Sequence, residues 1–393
     1  MLAKEYVDML SQKSVIREIS AYGTERAKEI GYENVFDYSL GNPSVPVPEE
    51  FKNKIIEILQ TQDPMTVHGY SPSLGISSVR QAVADSLNRR FHMNYKMEHI
   101  FMTSAAASAI AHALRAVTIP GDELLVFAPY FSEYVPYVNK TGTRLRVVPA
   151  DTQGFQINFQ ALDDMMNEKV TAVLVNTPNN PSGCVYSEET LQKLSDYLKD
   201  KEQKYSHPIY LISDEPYREI VFAGVKAPYV AKYYKNTLTC YSFSKSVSLP
   251  GERIGYLAVA PECEGADILV DMCGQISRGI GHNCPSSLIQ LALPSVLDIT
   301  SDLSVYEANK NILYKELTNM GFECVEPGGT FYMFPKSLEK DAKAFCNKAL
   351  KYDLLLVPGD GFECCGHFRM AYCIPTEKVE RSLEAFEKLV KEY

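Results

Sequence analysis

A chain of 393 residues has room for one large domain or two modest ones. Hydrophobic residues make up 46% and charged residues 22%, the balance of a globular protein that can bury a sizeable core. The net charge of -10 argues against nucleic acid as a main partner, because a phosphate backbone asks for a basic footprint, and no run approaches the roughly 18 apolar residues of a membrane span.

In chain order, the opening "MLAKEYVDMLSQKS" has no apolar stretch of the kind a secretory signal needs. Residues 14–31 read as a helix and lead into "VFDYSLGNPSVPVP", where proline and glycine forbid regular structure. "EEFKNKIIEILQ" and "SSVRQAVADSLNRRF" have the apolar spacing of amphipathic helices, and "SAAASAIAHALRAV" that of a more buried one. Six short apolar runs then alternate with helical or turn segments: "ELLVFAPY", "RLRVVPAD", "VTAVLVNTP", "PIYLISDEPY", "LTCYSFSK" and "IGYLAVAP". That alternation predicts a mostly parallel α/β sheet with helical crossovers. From about residue 295 the texture becomes α+β: a long helix, "FECVEPGGTFYMFP", a helix, "FRMAYCIP" and a last helix. A smaller second domain is expected there, built from 296–393 with 1–44, beside a large domain over 45–295. The ten cysteines include no CxxC pair and no zinc spacing, so they are expected to be reduced core residues of a cytoplasmic protein, with no metal site.

Several of the strand runs end in polar residues, and in open α/β sheets ligands bind outside the carboxyl ends of the strands. Lys245 follows one such run, flanked by Ser242 and Ser244, with Arg253 close behind. An uncharged lysine amine forms a Schiff base with an aldehyde, and hydroxyls with an arginine fork suit a phosphate monoester. "TSAAAS" opens a helix with small residues, which lets backbone N–H groups approach an anion. Asp214 ends the buried run "IYLIS" and needs a cationic or N–H partner to stay ionised, with Tyr217 three residues on. "NNPSG", from Asn179, can hold a side-chain amide rigidly before a ligand oxygen. Singly, each feature has an ordinary structural explanation: a lysine stem lying along the surface, an Ala-rich helix start, an ion pair, a turn. Jointly, in this order, they do not.

That order resembles the fold-type I pyridoxal-phosphate enzymes, in particular the class I/II aminotransferases of the aspartate aminotransferase family, from "SLGNP" to "FRMAY". The resemblance implies a three-layer large domain with a mostly parallel seven-stranded sheet, plus a smaller α+β domain. It implies pyridoxal 5'-phosphate as cofactor. Lys245 would form the Schiff base and carry a proton to and from the substrate, and Asp214 would keep the pyridine nitrogen protonated. Asn180 and Tyr217 would hydrogen-bond the phenolate oxygen, and Phe131 would stack on the ring. The phosphate would fall to backbone groups at Ala105 and Ala106, to Ser242, Ser244 and Arg253, and to Tyr70 of the other subunit of a homodimer. Arg369 would bind the substrate carboxylate, while Gly41 and Asn42 belong to a segment that closes over it. The resemblance also implies cis bonds before Pro181 and Pro129.

Arg278, four residues before His282 in "ISRGIGHNCPSS", resembles the arginine that binds a distal carboxylate from the neighbouring subunit; a helix-surface ion pair is the plain alternative. The implied activity is amino transfer from an L-amino acid, aspartate first, to 2-oxoglutarate by a ping-pong cycle. Aromatic or small neutral donors, and carbon–sulfur β-elimination, stay open alternatives on the same fold. A non-catalytic regulator of this fold would carry a DNA-binding domain, which the residues before Ser39 are too few to form.

Overall fold

The computed structural model describes the chain except residues 1, 3, 12–14 and 140. Its strands, in chain order, are β1 (Phe36–Asp37), β2 (Ile100–Thr103), β3 (Glu123–Phe127), β4 (Arg144–Val148), β5 (Val170–Asn176), β6 (Tyr210–Asp214), β7 (Thr237–Ser242), β8 (Gly255–Val259), β9 (Tyr332–Met333), β10 (Leu354–Leu355), β11 (Val357–Pro358) and β12 (Phe368–Ala371). Seven of them form the central sheet in the order β2-β8-β7-β6-β5-β3-β4. All pairs are parallel except those of β8, which runs antiparallel to β2 and β7. The interior strands are buried on both faces, as a sheet covered on both sides by helices requires. The six apolar runs are β3 to β8. The seventh strand, β2, is four residues long and abuts the small-residue helix, so it has no run of its own to display.

Helices cover the sheet. Ser77–Phe91 buries Val79, Val83, Ala84 and Leu87, the one-face spacing of an amphipathic helix. Ala105–Val117 is buried nearly all round and packs against β7 and β8. Its alanines permit a close approach that Gly255 completes. A Cβ at Gly255 would lie 2.9 Å from the Ala105 Cα and 2.2 Å from the Tyr241 carbonyl oxygen, so no larger residue fits between sheet and helix.

Two cores flank opposite sides of the sheet, and a third lies in the C-terminal part. That third core joins Ser304–Asn319 and Thr376–Val390 to the sheet β11-β12-β9 and to the parallel pair β1-β10. The N-terminal segment is therefore stitched to the C-terminal part: Ala371 N donates to Tyr38 O at 2.8 Å, and Arg26 Nε to Asp353 Oδ1 at 2.7 Å. Tyr217, Ile220 and Phe222, from the chain after β6, enter the same core.

Among the described residues no cysteine is in a disulfide. Seven are buried, but Cys284 and Cys324 are half-buried and Cys365 is exposed, which corrects the expectation that all are core residues. Cys364 and Cys365 are neighbours on a turn, so one points in and the other out. No helix among the described residues is long and apolar enough to cross a membrane.

Candidate active site

The carboxyl ends of β2, β5, β6 and β7 open onto one cavity of about 420 Å³. Its size suits a small cofactor with a small substrate.

Asp214, the last residue of β6, is buried in its floor. Its Oδ2 accepts from Tyr134 Oη at 2.6 Å and, weakly, from Asn176 Nδ2 at 3.4 Å. Its Oδ1 has no partner among the described residues. Burial pushes the Asp214 carboxyl up to about 7, against the lowering effect of the Tyr134 hydrogen bond. A buried carboxylate with one saturated and one open oxygen is set to receive a cationic N–H.

Lys245 stands on the single turn Phe243–Ser246, directly after β7. The N-cap of that turn is Ser242, whose Oγ accepts from Ser244 N at 3.1 Å. The Lys245 Nζ donates to Gly41 O at 2.6 Å and lies 5.4 Å from the centroid of the Phe331 ring. Burial pushes its amine down to about 8; the nearby Cys373 thiol opposes this and the Arg369 and Arg253 guanidiniums add to it. A neutral, nucleophilic amine is thus within reach near physiological pH.

One end of the cavity is built for an anion. The helix Ala105–Val117 starts there with no side-chain cap on Ser104, so its first N–H groups point at the cavity. Ala105 begins that helix at φ 69° and Arg253 lies at φ 51°, both in the left-handed region. Such positions cost a non-glycine residue roughly 1–2 kcal/mol and cluster at sites where backbone placement matters. Ser242, Ser244 and Arg253 line the same cavity, and Arg253 Nη1 donates to Pro250 O at 2.8 Å.

At the other side β12 supplies Arg369, only 2% exposed. Its Nη1 donates to Asn180 Oδ1 at 3.1 Å and its Nη2 to Ser39 O, while Nε has no partner among the described residues. The guanidinium lies over the Tyr332 ring at 4.7 Å. Asn180 is fixed by a bond from its own N to Asn176 Oδ1 at 2.7 Å. The peptide bonds before Pro129, Pro178 and Pro181 are cis; the one before Pro178 had no expectation attached. Tyr217 Oη pairs with Tyr332 Oη at 3.1 Å, and Phe131 lies edge-on to Tyr134. Gly41 abuts the Tyr332 hydroxyl so closely that a Cβ there would come within 1.8 Å of it.

Lys245, Asp214, Tyr217, Asn180, Ala105, Ala106, Phe131, Ser242, Ser244, Arg253, Arg369 and Gly41 therefore share one cavity. Tyr70, Arg278 and Asn42 do not line it. Tyr70, fully exposed, and Arg278 line a separate cleft of about 600 Å³, with His282, and Arg278 Nη1 bonds Gln275 Oε1 at 2.9 Å. Sequence reasoning missed Tyr332, Ile16 and Arg17 of the lining, the last two from the helix Val15–Ile30, and Tyr134, which lies outside the lining and holds Asp214. Nothing singles out Tyr134 among 25 tyrosines, and the pair Ile16 and Arg17 is far in sequence from every other cavity residue.

Fold and site together define an α/β enzyme with an amine, a half-satisfied carboxylate and an anion cradle around one ligand. The aminotransferase class I and II family model matches residues 33–386, and the chain belongs to that family. It is 30% identical over 379 residues to an aromatic-amino-acid aminotransferase of Thermococcus litoralis, covering 92% of this chain and 93% of that one. It is 29% identical over 363 residues to an aspartate aminotransferase of Thermotoga maritima, covering 90% and 91%. The crystal structure of an aminotransferase from Eubacterium rectale superposes with a TM-score of 0.97 at 44% identity, covering 100% of this chain and 99% of that one. The protein is an aminotransferase of fold-type I.

Proposed function

We propose that the protein moves an amino group from an L-amino acid, aspartate first, to 2-oxoglutarate in a ping-pong cycle with pyridoxal 5'-phosphate. The observation that carries this reading is the open Oδ1 of buried Asp214, in the same cavity as the depressed amine of Lys245.

The residues fit the cofactor. The orphaned oxygen suits a pyridinium N–H, and that pairing would keep both groups charged. The uncapped helix start, Ser242, Ser244 and Arg253 suit a phosphate. Phe131 offers an aromatic face, and Asn180 and Tyr217 offer an N–H and an O–H to a ring oxygen. When bound, the cofactor supplies an aldehyde that condenses with amines and an electron-poor ring that accepts charge developing at the substrate Cα.

This chain's side chains do the rest. Arg369 binds the substrate α-carboxylate as a fork, and Asn180 and Ser39 hold that guanidinium in place. The Lys245 amine takes a proton from the substrate Cα and returns it nearby, for which an amine titrating at about 8 is well matched. The walls of Phe131, Tyr137, Tyr217 and Tyr332 limit water at that carbon. Tyr70 and Arg278, too remote within one chain, would serve the site of the other subunit of a twofold homodimer. A cytoplasmic location and the division into 45–295 against 1–44 with 296–393 belong to the same reading. The C-terminal core that includes Phe36 and Tyr38 supports that division.

A second reading, transfer from an aromatic donor, is supported by those aromatic walls and by the Thermococcus litoralis relative. The test mixes the holoenzyme with each amino acid in turn and ranks them by the rate of cofactor absorbance change. Aspartate and glutamate at the head of the ranking, with parallel lines in double-reciprocal initial-rate plots, is the expected result. Phenylalanine or tyrosine at the head would overturn the aspartate assignment, and intersecting lines would overturn the ping-pong cycle.

A further inference from the structure

The cavity is cationic although the chain is acidic. Its charged lining is Arg17, Lys245, Arg253 and Arg369 against Glu133 and Asp214, in a protein of net charge -10. Three of the four cations are tied into the fold: Lys245 to Gly41 O, Arg253 to Pro250 O, and Arg369 to Asn180 and Ser39. Those three also have work in the reading above. Arg17 has neither: among the described residues no hydrogen bond, ion pair or ring contact engages it.

Its place is nevertheless fixed. Arg17 lies in the first turn of Val15–Ile30, next to Ile16, which lines the cavity and packs with Ile19 against a core. Farther along, the helix is clamped to the C-terminal sheet. Arg26 Nε meets Asp353 at 2.7 Å, and Gly23 lies so close that a Cβ would come within 2.4 Å of Leu355 Cδ2. The backbone of Arg17 is thus held at the cavity wall while its long side chain keeps its five donors uncommitted.

One buried guanidinium matches one carboxylate, and Arg369 fills that role for the α-carboxylate. A donor with a neutral side chain gives a further arginine nothing to neutralise, whereas a dicarboxylate does. We propose that Arg17 is a specificity-determining residue that receives the distal carboxylate of a dicarboxylic amino acid or oxo acid whose α-carboxylate sits on Arg369. The proposal rests on the aminotransferase reading, and it assigns to the same chain a task that the sequence resemblance gave to Arg278, which lies in another cleft.

The experiment compares wild type, Arg17→Ala, Arg17→Lys and Arg278→Ala holoenzymes. Initial rates are taken with aspartate and with alanine. Binding of unreactive succinate and butyrate is measured by thermal shift and by competitive inhibition. Arg17→Ala is expected to lower kcat/KM for aspartate roughly 10- to 100-fold more than for alanine, mainly through KM, the range for losing hydrogen bonds to a charged group. Arg17→Lys should recover part of this, and succinate should lose affinity in Arg17→Ala far more than butyrate. An unchanged aspartate-to-alanine ratio in Arg17→Ala, or a ratio that moves only in Arg278→Ala, overturns the proposal. If no amino acid is turned over by the wild type, the donor reading fails; selective loss of succinate binding in Arg17→Ala would still uphold Arg17, and its absence would sink both.

Discussion

Asp214 and Glu215 are adjacent, both carboxylates and both buried, yet they sit in opposite worlds. On one side of the chain Glu215 is saturated: it accepts from Ser213 Oγ at 2.7 Å and from Arg218 Nη1 at 3.1 Å. Arg218 in turn meets Glu219 and Tyr256, and lies over Tyr241 and Phe91. On the other side Asp214 keeps one oxygen open toward a cavity. Burial raises both carboxyls, so a raised value does not separate the functional from the structural carboxylate. The unfilled acceptor does.

The contrast can be broken most forcefully at the partner of that cavity. Lys245→Ala should lower kcat by about 10⁴-fold or more while circular dichroism stays native, because no other amine lines the cavity among the described residues. Retained turnover would dissolve the distinction. The next effect concerns stability without cofactor. Because the folded Asp214 titrates at about 7 and the unfolded carboxyl at 3.8, the folded state holds the extra proton between those values. Its contribution is therefore fully present below pH 3.8 and lost as pH rises through 7, an amplitude of about 4 kcal/mol. Chemical denaturation of cofactor-free wild type and Asp214→Asn across pH 4–8 should show a steeper decline in the wild type, the difference between the two curves being the part due to Asp214, since the raised Glu215 carboxyl is common to both. Glu215→Gln sharpens the comparison from the other side. It removes one of the two carboxylates that neutralise buried Arg218, the other being Glu219, and should cost about 2 kcal/mol in unfolding free energy, with kcat reduced less than tenfold. Asp214→Asn should reverse that pattern, with kcat falling about 10³-fold. The smallest effect is Tyr134→Phe: losing one hydrogen bond to the carboxylate should lower kcat by about tenfold and shift the bound-cofactor absorbance pH profile. An unmoved profile would reduce Tyr134 to packing.

Most of the cavity was legible in the chain because its residues sit at strand ends, where apolar runs stop at a polar residue. Asp214 and Ser242 end strands in that way, and Lys245 and Asn180 lie on the turns that follow. The six short apolar runs mark six of the seven strands of the sheet, all but β2. What stayed hidden had no local signal. Strand β2 is four residues long and is defined by pairing with β8. Tyr134 reaches Asp214 across a gap of 80 positions. Arg17 enters from a helix whose own pattern reads as surface, and only the clamp at Gly23 and Arg26 brings it to the wall. Tyr70 and Arg278 share a cleft, but no pattern within one chain says which copy's ligand they serve.

The tight fit of Gly41 under the Tyr332 hydroxyl has a practical side. Because the same residue's carbonyl holds the Lys245 amine, a library that diversifies position 41 would spend its diversity on misfolded or inactive clones. Position 17, exposed on the first turn of the helix Val15–Ile30, is the place where altered donor range can be sought by directed evolution.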